Sequence, residues 1–171
     1  MTLALTHSGF DLNIAAKVRQ FKTEQGAAQQ AGGVDDFVSF KEQYDPGDGQ
    51  QRVNAVYSAY SSALSSTDID LRGSLTGPFG DTILFPIVMG IFVQNLSKTA
   101  GQYLTVGGAT NPFITWLAAT GDGVRVGPGG IFCLWSPIDG YATTASTADV
   151  LTIAPSSGTP AVKYMIVGRS A

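Results

Sequence analysis

Apolar and polar residues alternate in short segments along most of the chain after Arg52. The first segment, "RVNAVYSAYSSAL", has the period of a half-buried strand, with one face formed by Val53, Ala55, Tyr57 and Ala59. Gly, Pro, Asn and Asp separate the later segments, which are "QYLTVGG", "NPFITWLA", "DGVRVGPGG", "IFCLWSP", "DVLTIAP" and "AVKYMIVG". Many short strands with regular turn signals predict an all-β domain, either a sandwich or a barrel. No segment after residue 52 has a clear helical pattern.

The most apolar stretch is "FGDTILFPIVMGIFVQNLS", residues 79–97. Its uncharged run is about half of the roughly 20 apolar residues that a membrane-spanning helix needs. Its β-branched and aromatic residues favour a strand, although Pro86 cannot donate a ladder hydrogen bond. We therefore predict a long core strand that bends in the middle and is covered on both faces. A surface that faces a partner is the other hypothesis.

Residues 1–50 are richer in charge and glutamine than the rest of the chain. The segments "NIAAKVRQF" and "DDFVSFKEQY" fit a helix and a strand equally well, and "EQGAAQQAGG" between them is typical of a loop. The turn cluster "DPGDG" at 45–49 closes the region. We predict an N-terminal arm at residues 1–50 that is not stable alone, followed by a β-sandwich domain at residues 51–171.

The composition favours a protein that is packed against neighbours. Charged residues make up 13% of the chain, about half of the usual ~25%, which is unusual for a free cytosolic enzyme. The formal net charge is −3, and the absence of a Lys/Arg cluster argues against a nucleic-acid partner. The first residues lack the pattern of a signal peptide, so we expect synthesis and assembly in the cytoplasm, with no membrane partner.

Few residues could support catalysis or bind a metal. His7 is the single histidine, and a nucleophilic triad or dyad would depend on it. Zinc sites require several His or Cys ligands, and Cys133 is the single cysteine. It lies in the apolar segment "GGIFCLWSP", where we predict a buried, inert thiol. The sequence therefore predicts no catalytic residue, no metal and no cofactor.

Acidic pairs are the remaining candidates for chemistry. Asp68 and Asp70 are two apart on a predicted strand, so both carboxylates point to the same face. A calcium site needs six or more oxygen ligands, and a solvated strand face is the favoured interpretation. Asp35 and Asp36 would point to opposite faces of an extended chain. Glycosidase chemistry across a cleft is not excluded, but nothing in the sequence indicates it.

The glycine-rich segments "VGGATN" and "VGPGG" do not precede a helix, so they are not phosphate loops. We predict turns with positive φ in these segments, at Gly107, Gly108, Gly127, Gly129 and Gly130.

Three aromatic residues could form a sugar-binding platform. Trp116 and Trp135 lie inside apolar segments, which favours a place in the core or at a subunit interface. Tyr141 lies in the predicted loop "PIDGYATTASTAD" and is the best candidate for an exposed aromatic.

Several motifs between Asp68 and Gly168 resemble those of a known family. They are "DL-x-G-x-LT-x-x-FG-x-T-x-x-F" at Asp70–Phe85, "I-x-V-x-N" at Ile91–Asn95, "VGGA" at 106–109, "PGG" at Pro128–Gly130 and "G-Y/W-x-x-T-x-x-T-x-D-x-L" at Gly140–Leu151. The chain resembles small virion structural proteins encoded in late operons of tailed bacteriophages and prophages. The likeness covers about the last three fifths of the chain, whereas the N-terminal region with its "VDDFVSF" segment fits more loosely.

The resemblance implies a jelly-roll β-sandwich without catalytic residues. It also implies a capsid decoration (cement) protein on the virion surface, which binds the major capsid protein and its own copies as a homotrimer. The alternative is a head-fibre or tail component that binds a receptor or a carbohydrate, using Tyr141 and Tyr103 with Asp122 or Asp139. A third hypothesis, a polysaccharide depolymerase, would require Asp68 and Asp70.

Overall fold

The fold is all-β, as the sequence predicts. The computed structural model describes residues 10–21, 33–73, 75–77, 80–108 and 110–169. No helix occurs among these residues, so none of them forms a helix that could span a membrane. The strands in chain order are β1 (Phe10–Phe21), β2 (Gly33–Pro46), β3 (Arg52–Val53), β4 (Ala55–Ser61), β5 (Thr67–Asp70), β6 (Leu75–Thr76), β7 (Thr82–Ile83), β8 (Ile87–Asn95), β9 (Leu104–Val106), β10 (Val124–Val126), β11 (Ile131–Trp135), β12 (Tyr141–Ala142), β13 (Val150–Pro155) and β14 (Val162–Arg169).

Contacts divide the chain into two units, Met1–Asp45 and Pro46–Ala171. In the first unit, β1 pairs antiparallel over its whole length with residues 33–44 of β2. "NIAAKVRQF" therefore adopts the strand pattern rather than the helical one, because β2 satisfies its backbone hydrogen bonds from outside the segment. His7 and nearly all of the predicted loop "EQGAAQQAGG" lie outside the described residues.

In the second unit, two antiparallel sheets share one core. One sheet has the strand order β10-β9-β13-β5, and the other has the order β11-β8-β14-β4 with β12 also paired to β8. Side chains from both sheets meet in this core and are completely buried there, among them Leu104, Leu151, Ile153, Ile91 and Ile166. This is the arrangement of a β-sandwich, and the jelly-roll connectivity stays a prediction.

The apolar stretch at 79–97 forms two strands instead of the single strand predicted. Residues 84–86 interrupt it between β7 and β8, and Pro86 stands just before β8, where it removes no ladder hydrogen bond. The predicted bend is present inside β8. Val167 pairs with Gly90 and Gly168 pairs with Val88, so Met89 is the extra residue of a β-bulge.

The predicted glycine turns are confirmed at three positions of five. Gly107, Gly108 and Gly129 have φ values of 107°, 74° and 70°. Gly127 and Gly130 do not have positive φ. Gly130 serves another purpose, because a Cβ at this position would lie 2.9 Å from the carbonyl oxygen of Gly127.

Candidate interaction surface

The outer face of the five-stranded sheet, called here the outer face, is the most distinctive surface of the described chain. Strand alternation directs every second residue of β4, β14, β8 and β11 away from the core. The registers align these residues in three rows, which are Tyr60–Lys163–Gln94–Ile131, Ser58–Met165–Phe92–Cys133 and Val56–Val167–Gly90–Trp135.

The outer face is largely apolar, and its solvent exposure is greatest in the first row, whereas Val167 and Gly90 of the third row are buried. The side chain of Ile131 is 68% exposed and that of Tyr60 is 61% exposed. Phe92 and Trp135 pack beside each other with their ring centroids 5.9 Å apart. Lys163 carries the one charge among the twelve row positions. A shallow depression of about 500 Å³ lies between the ends of these strands.

The opposite sheet presents a polar outer surface. Asp68 and Asp70 are exposed on β5, and Arg125 is exposed on β10. The guanidinium carbon of Arg125 lies 3.5 Å above the ring of Tyr103. The sandwich therefore has one polar outer face and one largely apolar outer face, and the apolar one is the candidate interaction surface.

Cys133 is exposed on the outer face, so the predicted burial of its thiol is wrong. The whole of β11 is apolar, and its pairing with β8 directs Cys133 outward together with Ile131. Partial burial nevertheless raises the pKa of the Cys133 thiol above its ordinary value, which reduces the fraction of reactive thiolate.

The carboxylates of Asp68 and Asp70 point to the same exposed side of β5, as predicted. Each accepts one hydrogen bond, Asp68 from the neighbouring strand β13 and Asp70 from the residue two positions on. The hydroxyl of Thr152 donates to Asp68 Oδ1 over 2.6 Å, and the backbone N–H of Arg72 donates to Asp70 Oδ1 over 3.0 Å. The described residues contain no group of three or more His, Cys, Asp or Glu side chains that could hold a metal ion. Asp35 and Asp36 occupy consecutive positions of β2.

The two tryptophans have different environments. The indole N–H of Trp116 donates to the carbonyl oxygen of Phe113 over 2.9 Å, and its ring packs 5.5 Å from that of Phe132 at the margin of the core. Trp135 belongs to the outer face, where it covers Gly90. The position of Trp116 agrees with its predicted place in the core. For Trp135, a place at a subunit interface stays a prediction.

Tyr141 is not the exposed loop residue that the sequence predicts. It lies in β12 opposite Val88 and is half-buried against the core. The most exposed tyrosine of the outer face is Tyr60, which the sequence analysis missed. The alternation of "AVYSAYS" contained the signal, since it places Tyr57 inward and Tyr60 outward.

The proposed glycan-binding residues belong to different elements of the structure. Tyr103 precedes β9 in the four-stranded sheet, whereas Tyr141 pairs with β8 in the other sheet. The carboxylate of Asp122 accepts a 2.8 Å hydrogen bond from the backbone N–H of Ala119. Asp139 is exposed in the segment between β11 and β12.

Comparison with known proteins yields one weak structural likeness. No family model matches the chain, and no curated protein matches it. A chain of the solved structure "Cyanophage Pam1 capsid asymmetric unit" matches 85% of this chain and 95% of its own length, with 18% identity and a TM-score of 0.23. At this TM-score the likeness carries no argument about fold or function.

Proposed function

We propose that the chain is a non-enzymatic structural protein of a tailed-phage virion, most specifically a capsid decoration (cement) protein. The apolar outer face is the observation that carries this proposal, because such a face is stable in water when a partner covers it. The low charge of the whole chain and the motif resemblance to small virion proteins point in the same direction.

The size of the outer face suits repeated weak contacts. Four strands and five residues along each strand span about 14 Å by 14 Å. This footprint is smaller than the roughly 800 Å² per partner of a typical stable interface. A symmetric shell offers many identical sites, so avidity can compensate for a modest single contact. The partners in this proposal are the major capsid protein and further copies of the chain, assembled as a homotrimer.

The first test compares Ile131→Asp with the wild-type chain in binding to undecorated capsids, observed by electron microscopy. A carboxylate at this corner of the contact would be buried against the partner without a counter-charge, so we expect the regular surface density to disappear. Ile138→Asp is the matched control, because Ile138 is 51% exposed but lies between β11 and β12, outside the three rows. Equal decoration by Ile131→Asp and the wild type would exclude the outer face as the capsid contact.

The same assay tests the role of the N-terminal region. We propose that this region ties subunits together on the lattice, so a chain that lacks residues 1–45 should decorate capsids less completely than the full chain. This cut follows the contact boundary between Asp45 and Pro46. Full decoration by the shortened chain would remove the anchoring role and leave the outer-face contact unaffected.

The receptor-binding alternative has a separate test. A glycan array with the full chain would show hits that Tyr141→Ala or Tyr103→Ala abolishes if the chain is a fibre or tail component. Capsids that remain bare in the presence of the wild-type chain, together with such hits, would replace the decoration proposal.

A further inference from the structure

The β4 edge of the five-stranded sheet lacks the features that protect strand edges from pairing. β4 hydrogen-bonds to β14 on one side and pairs with no other strand that the structure describes. Its sequence, "AVYSAYS", contains seven residues without a charge or a proline. Natural edge strands are commonly blunted by charges, prolines or short length.

The two edge strands of the four-stranded sheet, unlike β4, carry charged residues. Asp68 and Asp70 lie on the edge strand β5, and Arg125 lies in the middle of the edge strand β10. These edges therefore carry charges that oppose pairing with a like strand. The uncharged β4 edge differs from them by composition as well as by length.

A pairing register centred on Ser58 brings the two exposed apolar side chains of β4 opposite each other. If two copies of β4 pair antiparallel with Ser58 opposite Ser58, then Val56 faces Tyr60 twice. Tyr57 likewise faces Ala59 twice. Val56 and Tyr60 are the two large apolar side chains that β4 exposes, at 37% and 61%. Pairs of an aromatic and a β-branched residue are favourable across antiparallel strands.

We propose that two copies of this chain pair antiparallel along β4, centred on Ser58, and thereby join their five-stranded sheets into one continuous sheet. The contact is isologous, with the same strand on both sides of a two-fold axis. Backbone hydrogen bonds provide the affinity and the Val56–Tyr60 pairs set the register. The pairing also joins two outer faces into one larger apolar surface. It goes beyond the proposed function, does not depend on a role in a virion, and is a two-fold contact distinct from the three-fold contacts of the proposed homotrimer.

The uncharged edge strand β11 is less suited to the same pairing. It has five residues, and β12 follows it along the same side of β8. The backbone N–H of Ser136 donates to the carbonyl oxygen of Met89 in β8, and the chain then leaves the sheet until Tyr141. The edge formed by β11 and β12 is therefore interrupted between the two strands. β4 offers seven residues that pair on one side only, and β7 lies close to it without pairing.

The test measures self-association of the full-length chain by sedimentation at micromolar concentrations. Ser58 is exposed on β4, so Ser58→Lys and Ser58→Asp should fold normally. Each variant places two like charges opposite each other at the two-fold axis, and we expect self-association to weaken about tenfold or more. An equal mixture of the two variants should restore association, because a lysine then faces an aspartate. Ser66→Lys is the matched control, since Ser66 is exposed just before β5.

Three results would overturn this pairing. The first is a wild-type chain that stays monomeric throughout the concentration range. The second is an oligomer, a trimer included, that Ser58→Lys leaves unchanged or that the mixture does not restore after loss. The third is a dimer linked through Cys133 and dissociated by reductant, which would place the contact on β11. Ile131→Asp separates this result from the proposed function, because it alters the outer face on β11 and leaves β4 unchanged. Its self-association should stay at the wild-type level even where capsid decoration is lost.

Discussion

The indole ring of Trp135 lies directly over Gly90 in the last row of the outer face. A Cβ built at Gly90 would stand 2.6 Å from Cζ3 of Trp135 and 2.9 Å from Cε2 of Phe92. Glycine is therefore the residue that lets the two rings approach the sheet at this point. The aromatic part of the outer face depends on this close approach as much as on the aromatic residues themselves.

Gly90→Ala should destabilise the protein, because the rings of Trp135 and Phe92 must move from the sheet to admit a methyl group. We expect a loss of about 1–3 kcal/mol in the free energy of unfolding, measured by chemical denaturation. Gly127→Ala is the control, since a Cβ there meets no atom within 4 Å. A variant as stable as the Gly127→Ala protein would show that the rings are not held against Gly90.

Asn95 should be the most important buried polar residue of β8. Its side chain is fully buried, and its amide nitrogen donates to the carbonyl oxygens of Gln102 and Val126 over 3.0 and 3.2 Å. Its side-chain oxygen accepts from the backbone N–H of Ser97 over 3.0 Å. Asn95→Ala leaves these groups without partners and should cost about 2–4 kcal/mol. Thermal and denaturant unfolding would measure the loss, and Gln94→Ala is the control because Gln94 is partly exposed. Equal stability of the two variants would contradict the structural role of Asn95.

Thr143 connects β12 to the interruption between β7 and β8. Its hydroxyl donates to the carbonyl oxygen of Phe85 over 2.6 Å, and its backbone N–H donates to that of Pro86 over 3.0 Å. Thr143→Val keeps the shape but removes the hydroxyl, so we expect a loss of about 1–2 kcal/mol. Thr143→Ser keeps the donor and should recover most of that stability. If both variants unfolded at the same denaturant concentration, the hydroxyl bond would have no role.

Cys133 should titrate at higher pH in the folded protein than in the unfolded chain. Burial raises the pKa of its thiol, so the neutral form is favoured on folding. The resulting stability is fully present below the unfolded-state pKa and is lost as the pH rises through the folded-state pKa. The rate of alkylation by iodoacetamide, measured against pH in buffer and in urea, tests this shift. If the alkylation rate in buffer rose at the same pH as in urea, or at a lower pH, the raised pKa would be contradicted.

Features that depend on neighbouring residues could be read from the amino-acid sequence. Alternation in "RVNAVYSAYSSAL" predicts the burial of Val53 and Ala55, and both are buried in the structure. The turn cluster "DPGDG" ends β2, which includes its first two residues, and the remaining three lie between β2 and β3. The pair Asp68 and Asp70 occupies one exposed side of its strand because a strand has a period of two residues.

The orientation of wholly apolar strands could not be read in this way. In "IFCLW" every residue is apolar, so no polar face indicates which residues point outward. The register of β11 with β8 places Cys133 beside Phe92 and therefore on the outer face. The prediction of a buried thiol failed for this reason. The prediction that Tyr141 lies in an exposed loop failed for a similar reason, since only its pairing with Val88 makes it part of a strand.

Strand propensity, turn positions and the low charge follow from the order of residues, because each depends on local backbone geometry or on composition. The bend near Gly90 belongs to this group, whereas the interruption at residues 84–86 was not predicted. The outer face, its three rows and the open edge of β4 arise from pairing between segments far apart in the chain. Long-range registers decide which side of an apolar strand meets the core and which strand ends a sheet, and neither is encoded within a single segment.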